Sequence, residues 1–198
     1  MLTRYTASAD NTIVSAYQPN LTTRGTGSNA GEADVVEIFS IYGRQQEATP
    51  TTSGSQELSR CIIQFPVSTI SADRSAGTIP SQGNVSFYLR MFNAPTSKTV
   101  PTQFKVSAHM LTEEWEEGDG LDLEGYRDLV NGNFGSDWVQ RKKGSNWSNR
   151  GGTYSTTAGE FFEQTFETGL EDLEMDITSL VEKWLDSPAT PNYGVLVK

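Results

Sequence analysis

The chain has 198 residues, of which 25 are acidic and 15 are basic, so its formal net charge is -10. This length suits one domain of short strands, which we expect to span residues 1–198, and it is sufficient for a substantial core. A strongly acidic surface gives no whole-molecule attraction to nucleic acids or anionic membranes, so the composition gives no strong nucleic-acid signal. The single cysteine, Cys61, cannot form an internal disulfide, and its apolar surroundings predict a buried, unreactive thiol.

The N-terminal residues lack the apolar core of a signal peptide, and no stretch approaches the roughly 18 apolar residues of a transmembrane helix. We therefore expect a protein that is made in a cytosol, without a signal peptide and without membrane insertion. The many Gly, Ser, Thr and Asn residues suit short strands joined by turns.

Segments in which apolar and polar residues alternate predict β-strands, and the Gly- and Pro-containing segments between them predict loops. In chain order, strands are predicted over residues 6–14, 34–42, 60–67, 84–92, 103–111 and 161–166. The predicted loops are long and cover residues 18–34, 43–57, 68–83 and 119–135, the last with a helical turn near residues 125–130. Two strands have a clear apolar face, formed by Val85, Phe87, Leu89 and Met91 in one and by Phe104, Val106, Ala108 and Met110 in the other.

The C-terminal part predicts a strand, a short helix and a final strand. The predicted strands are residues 173–177 and 192–198. Between them, Thr178 or Ser179 is a suitable N-cap, and Glu182 is spaced to complete a capping box with Ser179. Because a helix of fewer than about three turns is marginal alone, we expect it to dock on a sheet through Trp184.

These elements amount to about eight to ten short strands and one helix, joined by long connections rather than by a simple meander. Two antiparallel sheets packed face to face bury such strands most simply. We therefore predict an all-β fold, a two-sheet antiparallel β-sandwich of the jelly-roll type with one short C-terminal helix.

Several segments occur in an order that matches a known family pattern. They are residues 7–10, 60–65, 85–89 and 113–116, the pair Trp138 and Trp147 with Gly151 and Gly152, and residues 176–184 followed by 192–194. This ordered set covers nearly the whole chain and resembles the DNRLRE family of β-sandwich modules, which are akin to carbohydrate-binding modules. The resemblance implies a scaffold in which Thr178 is a cap, Trp184 an anchor and Gly194 a turn.

Modules of this family usually occur in secreted proteins beside other domains, whereas we expect no export signal here. A sandwich of this kind, without a signal peptide and without an enzyme partner, resembles virion structural proteins of tailed bacteriophages. Such proteins are made in the host cytosol and reach the virion by assembly. The resemblance therefore implies a multi-copy protein whose partners are other virion proteins.

Catalysis has little support in the sequence. His109 is the only histidine and lies on the polar face of a predicted strand, and no G-x-S-x-G nucleophile elbow accompanies it. We expect a structural or surface role for His109, no catalytic residues, no enzyme activity and no bound cofactor apart from structural calcium.

Seven carboxylates fall between residues 113 and 124. They are interpretable as a solvated acidic loop, or as a source of the carboxyl pair that a glycosidase places across its cleft. A calcium site is a third interpretation, because Ca²⁺ takes roughly six to eight oxygen ligands from flexible loops. Asp119 and Asp122 are the candidate ligands, and sandwiches that resemble this one often carry structural calcium.

A basic, aromatic segment stands out in this acidic chain. Its charges and rings are Arg141, Lys142, Lys143 and Arg150 with Trp138 and Trp147. Rings beside basic residues bind nucleic-acid bases and phosphates, and rings with Asn and Arg also bind sugars. Alternatively, both tryptophans are core anchors and the charges decorate the loop between them, or the charges dock on an acidic neighbouring subunit. The four basic residues are our candidate ligand or partner contacts.

The leading hypothesis for function is a non-enzymatic virion structural protein of a tailed phage, such as a capsid decoration, neck or fibre-associated component. The alternative is a carbohydrate-binding module that recognises a cell-surface glycan. The alternative requires exposed Trp or Tyr rings on a concave surface, so burial of all four tryptophans weakens it. An esterase or glycosidase is a third hypothesis with less support.

Overall fold

The computed structural model describes residues 2–42, 56–97, 99–122, 125–126, 135–187 and 189–198. The strands in this part of the chain are β1 (Ala9–Tyr17), β2 (Arg24–Gly25), β3 (Ser40–Tyr42), β4 (Gln56–Gln64), β5 (Tyr88–Met91), β6 (Phe104–Met110), β7 (Gln140–Lys142), β8 (Ser145–Asn146), β9 (Phe161–Phe166), β10 (Leu173–Asp176) and β11 (Val195–Val197). The helices are α1 (Val67–Ser75) and α2 (Thr178–Asp186). Strands dominate and pair antiparallel, which confirms the all-β prediction.

The largest sheet has seven strands, six of them in the order β2-β1-β4-β11-β6-β9, with β3 also paired to β4. The C-terminal strand β11 lies in the middle, where Val195 pairs with Ile63 on one side and with Met110 on the other. Two smaller sheets contain β10 with β5 and β7 with β8. The centre of the large sheet therefore forms only when the last residues of the chain insert between β4 and β6.

The large sheet is buried on both sides, and alternation along its central strands divides the core in two. In β4, Cys61 and Ile63 point to one side and Ile62 to the other, as successive strand residues do. We call the first side the helix face; its buried cluster includes Cys61, Ile63, Ile70, Val106, Ala108, Met110, Val195 and Val197. We call the second side the tryptophan face; its buried cluster is Ile13, Ile62, Leu111, Trp115, Trp138, Trp147 and Leu196.

Regular elements cover the helix face. Helix α2 contributes Leu180, Val181 and Trp184, and the β5–β10 pair contributes Leu89, Leu173 and Met175. The predicted apolar face of β6 is confirmed, because Val106, Ala108 and Met110 are buried here and Phe104 packs against them. Trp184 is buried, as predicted for the residue that docks the helix. The buried thiol predicted for Cys61 is also confirmed, and its burial raises its pKa.

The prediction of a single helix was wrong, because α1 begins at Val67, the last residue of the predicted strand 60–67, and continues to Ser75 in the predicted 68–83 loop. Only Ile70 of this helix is buried, so the segment lacks the apolar stripe that identifies a helix in sequence. Distant contacts hold it instead: the Tyr5 hydroxyl donates to Asp73 at 2.7 Å, and Arg74 forms a bidentate ion pair with Glu182 at 2.5 and 2.7 Å.

The capping box predicted for the second helix was also wrong. The N-cap of α2 is Ile177 and makes no side-chain capping bond. Thr178 instead accepts the Phe87 amide at 2.8 Å, and Ser179 donates to the Gly159 carbonyl at 3.0 Å. Glu182 binds Arg74. Each polar side chain that the local pattern assigned to the cap therefore binds a residue outside the helix.

Strand limits also differ from prediction. The predicted strand 34–42 is paired only at Ser40–Tyr42, and before it Glu37 and Phe39 donate their amides to the hydroxyls of Thr12 and Ser59. Strand β1 lies later in the chain than the predicted range 6–14, since it covers Ala9–Tyr17. Strand β4 lies earlier than the predicted range 60–67, since it covers Gln56–Gln64. Both offsets are of the size expected for element boundaries predicted from sequence. Most of the helical turn predicted near residues 125–130 lies outside the described residues.

Candidate functional site

All four tryptophans are buried, with exposed fractions between 4 and 8 %. Two of the indole nitrogens on the tryptophan face also have partners: Trp115 donates to the Tyr193 carbonyl at 2.8 Å and Trp147 to the Asp137 carbonyl at 2.9 Å. Buried, hydrogen-bonded rings hold loops on a core and offer no flat surface to a sugar or a base. The interpretation of Trp138 and Trp147 as core anchors is therefore confirmed.

The structure separates the four basic residues predicted as contacts. Arg141, Lys142 and Lys143 lie on the β7–β8 hairpin, whose turn contains Gly144 at a φ of +73°. Arg141 donates to the Glu114 carbonyl at 3.0 Å, and the Lys142 ammonium lies 3.1 Å from the Glu114 carboxylate. These two charges are therefore neutralised in part by the acidic turn of the same chain. Arg150 follows the hairpin and is exposed at a separate cleft.

That cleft has a volume of about 340 Å³ and is lined by Arg60, Asn149, Arg150, Gly152, Tyr154 and Thr156. Its central cation is Arg60, which extends from β4 on the tryptophan face. The guanidinium donates to the Gly151 carbonyl and stacks against aromatic rings, with its carbon 4.8 Å from the Trp138 ring centroid and 5.6 Å from that of Tyr154. Burial lowers the pKa of Arg60, which nevertheless remains a cation, as arginine does in proteins.

Gly151 and Gly152 shape the cleft by allowing the loop to approach the sheet. Both have positive φ, +80° and +93°, which other residues adopt only with strain. A Cβ at Gly151 would lie 2.7 Å from the Trp138 ring and 2.8 Å from the Arg60 guanidinium. The two glycines therefore allow the carbonyl and the ring to reach Arg60.

Tyr154 lies between two cations. Its hydroxyl accepts a hydrogen bond from the Lys198 ammonium at 2.9 Å, and its ring lies near Arg60. Burial alone would raise the pKa of Tyr154, but the Lys198 hydrogen bond and the charges of Lys198 and Arg60 outweigh it, so the pKa is lowered. Because Val197 pairs with Cys61, the next residues, Lys198 and Arg60, stand opposite each other on adjacent strands.

His109 lies beside this group and is buried between rings. Its ring centroid is 4.7 Å from that of Tyr154 and 5.5 Å from that of Phe161. Nδ1 lies 3.0 Å from the Ser155 carbonyl and Nε2 lies 3.0 Å from the Ser107 hydroxyl, so a neutral ring satisfies both contacts. Burial lowers the pKa of His109, and the nearby Lys198 and Arg60 lower it further against the raising effect of the Ser155 carbonyl.

The Ser107–His109 contact has the spacing of a nucleophile and a base, a contact that the sequence did not predict. A carbonyl, and not a carboxylate, occupies the position that would orient such a base. His109 is also only 6 % exposed, so its ring offers little surface to a substrate. The structural role predicted for His109 accounts for all of its described contacts.

The two calcium candidates differ in their surroundings. Asp119 is exposed, whereas Asp122 is buried and its carboxylate lies 3.5 Å from the Asn29 amide nitrogen. In the described residues, no group of three or more His, Cys, Asp or Glu side chains is arranged to hold a metal ion. Calcium binding at Asp119 and Asp122 stays a prediction.

Strand β5 packs on the helix face of the large sheet, opposite the cleft, and carries exposed side chains on its outer side. Tyr88, Arg90 and Phe92 alternate with the inward-facing Leu89 and Met91 and share one outward face. Tyr88 is 53 % exposed and Phe92 is 69 % exposed. We call Tyr88, Arg90 and Phe92 the β5 strip.

The cleft was not predicted from the sequence, although its parts carry a weak signal. Arg60 and Lys198 border the apolar runs of two central strands, where a charge is unusual. Tyr154 had no signal, because its position over the sheet depends on the loop that contains Gly151 and Gly152. Of the predicted contacts, only Arg150 lines the cleft.

Comparison with known proteins found no match to a family model, to a curated protein or to a solved structure. In the part of the chain that the structure describes, neither helix has the length and apolar character needed to cross a bilayer.

Proposed function

We propose that this protein is a non-enzymatic structural protein that acts by assembling with neighbouring protein subunits, as a component of a tailed-phage virion. The observation that carries the assembly proposal is the β5 strip, an exposed row of side chains on a strand that has one edge without a partner among the described strands. The support for a virion is the ordered resemblance of the segments to the DNRLRE type of module.

The edge of β5 is available for pairing. In the described residues β5 pairs only with β10. The Ile177 amide donates to the Phe87 carbonyl at 2.9 Å, so Phe87 directs its main-chain groups towards β10. Because hydrogen-bonding direction alternates along a strand, the main-chain groups of Tyr88 and Arg90 point to the opposite, unpaired edge. Such an edge is a template for a strand of another chain.

The side chains of the β5 strip suit a protein partner. The guanidinium of Arg90 lies 5.7 Å from the Phe92 ring centroid and 2.8 Å from the Glu174 carboxylate, which holds it along the strand. Asn93 bonds to the Gly169 carbonyl at 3.0 Å, which brings the exposed Leu170 to the same end. Tyrosine, arginine and phenylalanine are enriched in protein interfaces. The occupant that fits is therefore a subunit that adds a strand beside β5.

The two-sheet jelly-roll arrangement is part of this proposal. It is supported by the β5–β10 pair, whose Leu89, Leu173 and Met175 share the helix-face cluster with Val106 and Ala108 of the large sheet. In this arrangement the β5–β10 pair is the second sheet, and α1 and α2 complete the layer that it forms.

The glycan-binding alternative is weakened, because all four tryptophans are buried. Tyr88 and Phe92 remain exposed, but they lie in a row on an outward strand face. Glycan sites are concave and carry convergent polar groups. The exposed rings therefore favour a protein partner over a sugar.

Mass spectrometry of purified particles tests the proposal. The chain is expected at a reproducible copy number relative to the major capsid protein. In particles assembled with the double variant Tyr88→Ser and Phe92→Ser, the chain is expected to be lost. Leu2→Ser is the matched control, because Leu2 is also a large, exposed apolar residue but lies outside the strip. Absence of the wild-type chain from particles, or normal incorporation of the double variant, would contradict the proposal.

A further inference from the structure

Arg60 is a half-buried cation that contacts no carboxylate of the described residues. Its hydrogen bond to the Gly151 carbonyl uses one of the five N–H groups of a guanidinium. The Trp138 and Tyr154 rings offset part of the lost hydration through cation–π contacts. Partial burial of a charge is costly unless an opposite charge accompanies it, so the site favours an anion.

Further cationic groups converge on the same cleft. Arg150 lines it and forms no ion pair with the described carboxylates. Lys198 stands on the strand beside Arg60 and donates to the Tyr154 hydroxyl. Since that hydroxyl oxygen accepts the Lys198 bond, its own proton is available for a second hydrogen bond. No described residue accepts that proton, and Tyr154 lines the cleft.

The neighbouring carboxylates are committed elsewhere. Glu113 accepts hydrogen bonds from Ser148 and Thr153, at 3.1 Å from the Ser148 amide and 2.9 Å from the Thr153 hydroxyl. Glu163 stands on β9 and binds Lys105 at 3.2 Å. The cleft is thus a locally positive region in a chain whose net charge is -10. A concave surface lined by one sign of charge concentrates ligands of the opposite sign.

We propose that this cleft is a binding site for a small oxyanion, a carboxylate or a phosphate, held by Arg60, Arg150 and the hydroxyl of Tyr154. The planar guanidinium fork matches the two oxygens of either group. Asn149 and Thr156 add polar side chains around it. The cleft volume of about 340 Å³ is at the lower end of the range for small organic ligands, so the oxyanion can belong to a small organic acid or a phosphate ester.

Nuclear magnetic resonance titration tests the site without knowledge of the natural ligand. Sodium acetate and sodium phosphate are added separately to the intact chain, with sodium chloride at equal ionic strength as the reference. We expect saturable shifts at the amides of residues 149–154 and at the Trp138 indole N–H. Saturation by both anions assigns a general oxyanion site, whereas saturation by one of them assigns that chemical class.

Substitutions connect the shifts to the cleft. Arg150→Gln removes an exposed charge, and we expect binding to weaken about threefold to tenfold, as loss of one typical hydrogen bond does. Tyr154→Phe keeps the ring but removes the donor, and should also weaken binding. Arg4→Gln is the matched control, because Arg4 is exposed outside the cleft. Arg60→Lys keeps the charge without the fork, and its folding is checked from the amide spectrum.

The same titrations can overturn the proposal of an oxyanion site. Shifts that remain linear in concentration, or that equal those of chloride, mean that Arg60 is only a structural cation held by its rings. Wild-type affinity in both Arg150→Gln and Tyr154→Phe has the same meaning. Neither result depends on whether Arg60→Lys folds. Neither bears on the assembly proposal, which concerns the β5 strip.

Discussion

The two faces of the large sheet are closed in different ways. Helices and a strand pair cover the helix face with aliphatic side chains, among them Leu89, Met175 and Leu180. The tryptophan face is covered by a short hairpin and by loops, which are held by three indole rings and by buried polar side chains. Polar main-chain groups in loops need partners when they are buried, and on this face side chains supply many of them.

Buried asparagines show this mode of closure most clearly. Asn11 donates to the Ser136 carbonyl and hydroxyl at 2.8 and 2.9 Å and accepts the Ala30 amide at 2.9 Å. Asn29 donates to the carbonyls of Glu117 and Ser136 and accepts the Gly120 amide. A face closed by loops carries more polar groups and retains a cleft, whereas a face closed by helices is filled. The polar cleft therefore lies on the tryptophan face.

Truncation of one tryptophan on each face should have the largest effect on the free energy of unfolding. Trp184→Ala on the helix face and Trp147→Ala on the tryptophan face should each lower the free energy of unfolding by about 3–5 kcal/mol, because each empties a packed site. Chemical denaturation measures both losses. Phe92→Ala is the control, since Phe92 is exposed and its loss should cost less than about 0.5 kcal/mol. Wild-type stability of Trp184→Ala would show that α2 does not depend on this ring.

A buried amide on the tryptophan face should have the next largest effect. Asn29→Ala leaves two carbonyls and the Gly120 amide without their partner, which should cost about 3 kcal/mol in unfolding free energy. Amide hydrogen exchange at Gly120 should accelerate in the same variant. Asn84→Ala is the control, because Asn84 is exposed. An equal, small effect at both positions would mean that water replaces the Asn29 network.

Replacement of Trp147 and of Trp184 by phenylalanine should lower stability by different amounts on the two faces. The Trp147 indole donates to the Asp137 carbonyl, whereas the buried indole nitrogen of Trp184 has no hydrogen-bond partner in the described residues. Trp147→Phe should therefore cost about 1–2 kcal/mol more than Trp184→Phe, because only the former removes a buried indole hydrogen bond. Parallel thermal and chemical unfolding of the two variants measures the difference. Equal losses of unfolding free energy would show that the indole hydrogen bond of Trp147 does not contribute to holding the loops on the tryptophan face.

The smallest expected effect concerns the rim between the faces, where Glu160 binds Lys183 of α2 and the Ser155 hydroxyl. Donation by Lys183 and then by Ser155 holds the pKa of Glu160 below its ordinary 4.5. The stabilisation is therefore full above pH 4.5 and is lost as the pH falls through the lowered value. Glu160→Gln and Lys183→Met should each reduce the acid sensitivity of unfolding. A wild-type pH slope in both variants would contradict this contribution.

Much of the helix face could be predicted from local pattern. The alternation in 103–111 identified β6 and its inward side, and the apolar spacing near Trp184 identified α2 as a docked helix. Both predictions succeeded because burial requires a two-residue period in a strand and a 3.6-residue period in a helix. Helix α1 lacks such a pattern and was missed, because Arg74 is held by Glu182, a residue 108 positions away.

The cleft illustrates the opposite case. Arg150 was predicted as a contact from local charge, but three neighbouring basic residues with the same signal lie on a separate hairpin, where Arg141 and Lys142 contact Glu114. Arg60 and Tyr154 had no comparable signal. Their proximity depends on the β4–β11 pairing and on the path of the loop at Gly151, so it could not be inferred from spacing along the chain.

The sequence by itself determined the β-rich class, the burial of Trp184 and of Cys61, and the apolar faces of individual strands. Each of these follows from side-chain type and short-range period, which act wherever the strand lies. The tertiary structure alone decided the central place of β11, the existence of α1, the pairing of β5 with β10 alone among the described strands, and the meeting of Arg60, Arg150 and Tyr154. Those features depend on pairs of residues far apart in sequence, whose contacts form only when the strands take their order in the sheet.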